Sequence, residues 1–179
     1  MNEQLIEKII AGDQQAFRII VDTYKQPLVS YLTYQTKDEE LAKDIAQETF
    51  IKCYEYLPKF KGGSFKAWLF RIAINHLIDF KRTHKEDATP LEETPSLCTP
   101  ESVLIAKEQK ELLQQCLTTL DDKTRQIFIL KYASNCTYEE IAETLHIPIT
   151  EVRNRLYRTK TRLRKSKLKG VLNGELLID

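Results

Sequence analysis

Apolar residues recur along this chain at intervals of three and four, the spacing that gathers side chains on one face of an α-helix. The pattern predicts helices over 2–11, 13–36, 38–57 and 64–82, and then over 101–119, 121–133, 137–145 and 150–167. Pro27 falls inside the second, where its missing N–H and its ring are expected to bend or break the helix. The helix from Ser64 to Arg82 carries two stripes. Phe65, Trp68, Leu69, Ile72, His76 or Leu77, and Phe80 form an apolar one that reads as core. Arg71, Asn75, Asp79 and Arg82, at steps of four, four and three, form a polar one that needs a partner.

The periodicity stops between His84 and Ser102. The stretch "HKEDATPLEETPSLCTPES" holds three prolines and five acids, and reads as an extended linker. The expected organisation is therefore all-α: two small helical domains, 1–83 and 103–179, joined by an acidic linker over 84–102. Only 5 Gly and 6 Pro among 179 residues fit a helical chain with few tight turns.

The formal net charge of +1 conceals segregation. Between His146 and Lys169 nine basic residues stand against one acid, Glu151, whereas 86–101 holds acids and no Lys or Arg. One end of the chain is thus suited to a polyanion, and the linker repels it. No apolar run approaches the ~18 residues of a membrane-spanning helix, and the N-terminus lacks a secretory apolar core. The four cysteines and three histidines are scattered and complete no metal pattern. The expectation is a cytoplasmic protein with reduced thiols and no cofactor.

Candidate chemistry is sharpest in the second half. "TYEEIAETLHIPITEVRNRLYRTKTRLRK" pairs a short helix with a longer basic one across a four-residue turn. Ile141, Leu145, Ile147, Val152 and Leu156 supply the apolar contacts, and Ala142 lets the helices cross closely. This is helix-turn-helix patterning, in which the second helix enters the major groove. Arg153, Asn154, Arg155 and Arg158 suit bases and phosphates, since Arg pairs with guanine and Asn with adenine in bidentate fashion. Arg162, Arg164, Lys165 and Lys167 suit backbone phosphate. His146 occupies the turn position that often needs glycine for a positive φ.

In the first half, the basic loop "KFKGGSFK" leads into a helix with Phe65, Trp68 and Phe70 near its start. Aromatic rings beside Lys and Arg are what single-stranded nucleic acid requires, although such rings also serve as core. Upstream, Asp44, Gln47, Glu48 and Ile51 fall on one helix face beside apolar Ile45, Phe50 and Tyr54. Spacing alone reads that face as an ordinary amphipathic helix.

Taken together and in order, "DIAQETFIK", "FKGGSFKAWLFRIAINHLIDFKR", "LDDKTRQIFILKYASNCTYEEIAETL" and "EVRNRLYRTKTRLRK" resemble the extracytoplasmic-function (ECF) sigma factors of bacterial RNA polymerase, from about Ile9 to Lys167. The resemblance implies that Asp44, Gln47, Glu48 and Ile51 grip the coiled coil of the polymerase's largest subunit. It implies that Lys59, Lys61, Gly62, Gly63, Ser64, Phe65, Trp68, Arg71, Asn75 and Arg82 melt and read the −10 element. The second polar stripe would then meet the promoter. It further implies that Arg153, Asn154, Arg155, Tyr157, Arg158 and Arg162 read the −35 element, that the second domain meets the polymerase flap, and that an anti-sigma protein, in many members membrane-bound, controls the factor. The chain departs from the family pattern at His146, and at Asn135 and Cys136, where Gly and Leu are common. Glu151, near the start of the reading helix, is either unfavourable toward phosphate or an acceptor for a cytosine amine.

Three other readings compete. A stand-alone helix-turn-helix regulator would bind duplex operator without polymerase, and it leaves the Asp44–Glu48 patch unexplained. An enzyme lacks a Ser/His/Asp set, a metal cluster or a phosphate-cradling glycine loop, and His76 with Asp79 is merely one helical turn. A purely structural helical module has no use for so basic a terminal helix.

Overall fold

The computed structural model describes residues 3–84 and 117–165. Among the described residues every regular element is helical. They are α1 (Glu3–Ile10), α2 (Gln14–Thr36), α3 (Glu39–Tyr56), a 3-10 turn (Leu57–Lys59), α4 (Phe65–Thr83), α5 (Asp122–Tyr132), α6 (Tyr138–Leu145) and α7 (Ile149–Lys165). The expected linker beyond His84, most of the expected helix over 101–119 and the tail after Lys165 lie outside the described residues. The end of that helix is seen at 117–118.

Helix starts follow side-chain chemistry. Asp13 accepts from the N–H groups of Gln15 and Ala16, and Asp38 from those of Glu40 and Leu41. Ser64 caps α4 through Ala67 N–H, and Asp121 caps α5 through Thr124 N–H. Thr137 and Glu140 form a reciprocal capping box at α6. Each cap fills donors that the first helical turn leaves unpaired.

Of the bend or break expected at Pro27, the break does not occur: α2 runs through it as one helix of 23 residues. An interior proline costs about 3 kcal/mol. Directly beyond it, Leu28, Tyr31 and Leu32 are wholly buried, each burial being worth roughly 1.5–3 kcal/mol, and packing therefore outweighs the lost hydrogen bond.

The two-residue connection at Lys37–Asp38 folds α3 back along α2, and α4 packs across α3. The buried side of α4 is Phe65, Ala67, Leu69, Phe70, Ala73, Ile74 and Leu77. Phe70 meets Tyr31 edge-on with ring centroids 5.8 Å apart. The apolar stripe thus lies partly rotated from the expected one, since Trp68, Ile72, His76 and Phe80 are only half-buried. In the second unit α5, α6 and α7 enclose Ile127, Leu130, Ile141, Val152 and Leu156. The two units also pack on each other, chiefly α6 on α4 with a smaller contact of α5 on α2. The buried cluster runs continuously from Ile9 to Leu156.

Three non-glycine residues take left-handed backbone: Lys37 (φ 61), Asn135 (φ 50) and His146 (φ 52). His146 ends α6, and its N–H returns to the Ala142 carbonyl. The sequence thus places its two departures from glycine at positions that need a positive φ.

Truncating Phe70 to alanine is expected to cost about 3–5 kcal/mol in urea denaturation, as for other buried aromatic residues. Lys37→Gly, at an exposed helix end, is expected to raise stability by roughly 1 kcal/mol by removing left-handed strain.

Candidate nucleic-acid interface

Helix α7 is divided cleanly by its period. Val152, Leu156 and Thr159 are buried against α5 and α6, while Arg153, Asn154, Tyr157, Arg158 and Arg162 are exposed. Tyr157 is 72% exposed, an unusual position for a large ring. Arg153 leans over the Tyr138 ring, 5.8 Å from its centroid, and its Nη2 lies 3.9 Å from Glu139 Oε1. Arg162 donates to the Thr119 carbonyl at 3.1 Å. Tyr157, Arg158, Thr161 and Arg162 line one shallow hollow on this face.

Arg155 is placed differently from its neighbours. Its Nε donates to Glu151 Oε1 at 2.9 Å, and its Nη1 donates to Thr124 Oγ1 at 2.8 Å and Asp121 Oδ1 at 3.1 Å. Lys123 completes the cluster, 3.0 Å from Glu151 Oε1. The guanidinium that suited a base edge by residue type is thus bolted to the start of α5. Glu151, unfavourable for phosphate in the sequence, is neutralised by the same bolt. Hydrogen bonds from Lys123 and Arg155 hold its carboxyl below the usual carboxylate range. Asp121 is also held low, first by its bonds to Thr124 and then by the Arg155 charge. The i,i+4 spacing of Glu151 and Arg155 was the available sequence signal for this pair. Asp121 and Thr124 gave none, being some thirty residues distant.

On α4 the loop residues Gly62 and Gly63 take φ values of 97 and 90, which side chains other than hydrogen tolerate poorly. Lys59, Lys61, Gly62 and Gly63 are exposed, and Lys59 stands over the Tyr56 ring at 5.2 Å. The aromatic residues are arranged as a nest rather than an open platform. Phe60, Phe65 and Trp68 lie with centroids 5.2–5.6 Å apart, and Tyr24 closes on Phe65 at 5.6 Å. Phe65 is buried and Trp68 half-buried. Asn75, Asp79 and Arg82 are exposed along the polar stripe. Arg71, at its head, meets His146 Nε2 at 3.0 Å through Nη1.

On α3, Asp44, Gln47, Glu48 and Ile51 are all exposed and form one patch, with Ile51 52% exposed. Behind them His76, on α4, bonds Glu48 Oε2 through Nε2 at 2.8 Å. Its Nδ1 is buried with no hydrogen-bond partner among the described residues. His76 was unremarked as a support for this patch because α3 and α4 meet only in the folded chain.

A helical unit with an exposed polar patch, coupled to a helix-turn-helix with a basic exposed face, has the form of a DNA-binding transcription factor. Comparison with known families gives it a finer place. Residues 20–86 match the model for sigma-70 region 2, and residues 110–163 match that for sigma-70 region 4. The chain is 34% identical to the ECF RNA polymerase sigma factor SigW of Bacillus subtilis, over 92% of this chain and 96% of that protein. It is 31% identical to the RNA polymerase sigma-H factor of Pseudomonas aeruginosa, over 92% and 93%. The chain belongs to the ECF group of sigma-70 family sigma factors. Its fold is shared by CnrH, solved in complex with the cytosolic domain of CnrY, at a TM-score of 0.69 and 23% identity over 96% of each chain. It is also shared by RpoE of Bartonella quintana, solved with the anti-sigma factor NepR, at 0.66 and 22% over 89% of this chain and 98% of that one.

The Arg155 cluster has a pH signature. Carboxyls held low when folded contribute stability above their unfolded pKa, and that contribution is lost as pH falls through the folded value. Glu151→Gln is expected to be less stable than the parent at neutral pH and to lose less on acidification between about pH 5 and pH 3. Thermal melts across that range check it.

Proposed function

We propose that this alternative sigma factor docks on the coiled coil of the polymerase's largest subunit through Asp44, Gln47, Glu48 and Ile51. In this reading the unit spanning 1–83 reads the −10 element, and the unit spanning 103–179 reads the −35 element and meets the flap. The exposed face of α7 carries the proposal: Arg153, Asn154, Tyr157 and Arg158 stand outward on the helix that a helix-turn-helix sends into the major groove. Asn154 and Arg158 are the base readers, Arg162 serves the backbone, and Arg155 fixes the angle of the helix rather than reading bases. At the other end, Lys59, Lys61, Gly62, Gly63, Ser64, Arg71, Asn75 and Arg82 take the melted strand. Phe65 and Trp68 support the loop from beneath.

The reading assigns no catalysis to the chain and places it in the cytoplasm. No described helix is long and apolar enough to cross a membrane. An anti-sigma protein is its regulatory partner. The relatives of like fold were solved with CnrY and with the anti-sigma factor NepR, which supports a regulator of this kind.

Run-off transcription with core polymerase over a pool of promoter fragments tests the reading. Protein-dependent transcripts sharing paired upstream elements are expected. Asn154→Ala and Arg158→Ala should each weaken use of the upstream element by roughly five- to 150-fold, since a bidentate base contact is worth about 1–3 kcal/mol. If core polymerase gains no promoter specificity while the chain alone shifts duplex fragments, a stand-alone regulator replaces the sigma reading.

A further inference from the structure

Behind the exposed patch of α3 sits a polar group that packing alone does not call for. His76, on α4, has a side chain only 12% exposed, and its Nε2 lies 2.8 Å from Oε2 of Glu48, whose side chain is 61% exposed. Its Nδ1 is buried and meets no hydrogen-bond partner among the described residues. A ring protonated on Nδ1 alone would bury an unpaired donor and set a bare Nε2 lone pair against the Glu48 carboxylate. The proton therefore sits on Nε2, and the ring donates to Glu48.

This pair does little for the fold. A polar pair with one member mostly in water adds little stability, whereas an unpartnered buried ring nitrogen subtracts from it. Its surroundings on α4 are apolar: Ala73 and Leu77 are buried, and Ile72 and Phe80 are half-buried. An apolar side chain of similar volume would fill the place at no such cost.

What the pair does accomplish is to hold Glu48. A glutamate four residues ahead of a lysine ordinarily pairs with it along the helix surface. Among the described residues no ion pair joins Glu48 to Lys52, and its carboxylate is turned across to α4 instead. Asp44, Gln47 and Ile51 have no side-chain bond to another helix among the described residues, so Glu48 is the one tethered member of the patch. A side chain ordered only on binding weakens the complex by roughly two- to tenfold through its lost rotamer freedom. Glu48 has lost that freedom on folding.

Resting on the reading that this patch docks on polymerase, we propose that His76 is a positioning residue for that docking. It donates to Glu48 Oε2, holds the carboxylate in the orientation that polymerase meets, and lowers the stability of the fold in doing so.

Two measurements on the full chain separate positioning from packing: the dissociation constant for core polymerase and the melting temperature of the free protein. His76→Leu keeps the apolar volume and removes both the donor and the orphaned nitrogen. Its Tm is expected to equal or exceed the wild-type value, while its affinity for core polymerase falls roughly two- to tenfold. His76→Gln carries an amide N–H to about the reach of Nε2 and is expected to restore affinity to within about twofold of wild type. In a Glu48→Ala background, His76→Leu should change affinity no further, because the two groups act as one. Wild-type affinity in His76→Leu overturns the proposal, as does a loss that glutamine fails to rescue or that persists without Glu48. A Tm below wild type in His76→Leu also overturns it, since the ring would then serve packing. Should His76→Leu lose its helical circular dichroism, His76→Phe, a ring of like shape without a donor, decides in its place. If Asp44→Ala and Glu48→Ala themselves bind core polymerase as the wild type does, the docking reading fails and the positioning role falls with it. A loss on Glu48→Ala with none on His76→Leu removes the positioning role alone.

Discussion

The burial of one face of α4 is the constraint from which the other elements take their places. Ala67, Leu69, Phe70, Ala73 and Leu77 are each no more than 5% exposed, and removing that surface from water contributes on the order of 10 kcal/mol before entropy is counted. A helix so fixed has no freedom to rotate. Its remaining face must present Arg71, Asn75, Asp79 and Arg82 in one direction, and its capped start must hold the glycine loop at one place. The same burial brings His76 under Glu48, which ties the exposed polar patch of α3 to α4 through one 2.8 Å contact.

The second unit uses a different device. Its helix α7 is short of large apolar residues, and Val152 and Leu156 are its buried hydrophobic side chains among the described residues. Arg155 makes up the difference by joining Glu151, Thr124 and Asp121 in one cluster. A charged cluster whose side chains are 31–63% exposed adds modest stability. Its planar donors nevertheless fix direction, because a guanidinium satisfies three acceptors only at one orientation. Such a clamp sets how α7 would enter a groove without itself entering it.

Between the units, polar contacts border the packing. Buried cysteines mark the contrast: Cys53 lies wholly inside the first unit, and Cys136 lies where the units approach. Burial pushes both thiols up to about 12, but only Cys136 has a lysine of the other unit, Lys66, acting on it. Apolar cores are costly to open, whereas a margin of carboxylates, hydroxyls and one lysine exchanges its hydrogen bonds for water at little net cost.

Much of this was legible in one dimension. Helix periodicity is local, so seven helices could be placed to within a residue or two, and their caps at Asp13, Asp38, Ser64, Asp121 and Thr137 lie where polar residues precede apolar runs. The exposed faces of α3 and α7 were likewise fixed by spacing, because a helix converts sequence interval directly into angle. Four features were not legible: the unbroken course of α2 through Pro27, the nesting of Phe65 and Trp68, the capture of Arg155 by α5, and the seating of α6 on α4. Each depends on residues from about 30 to more than 100 positions apart meeting in space. A pattern of period 3.6 states which way a side chain points from its own helix. What waits there is decided only when the helices pack.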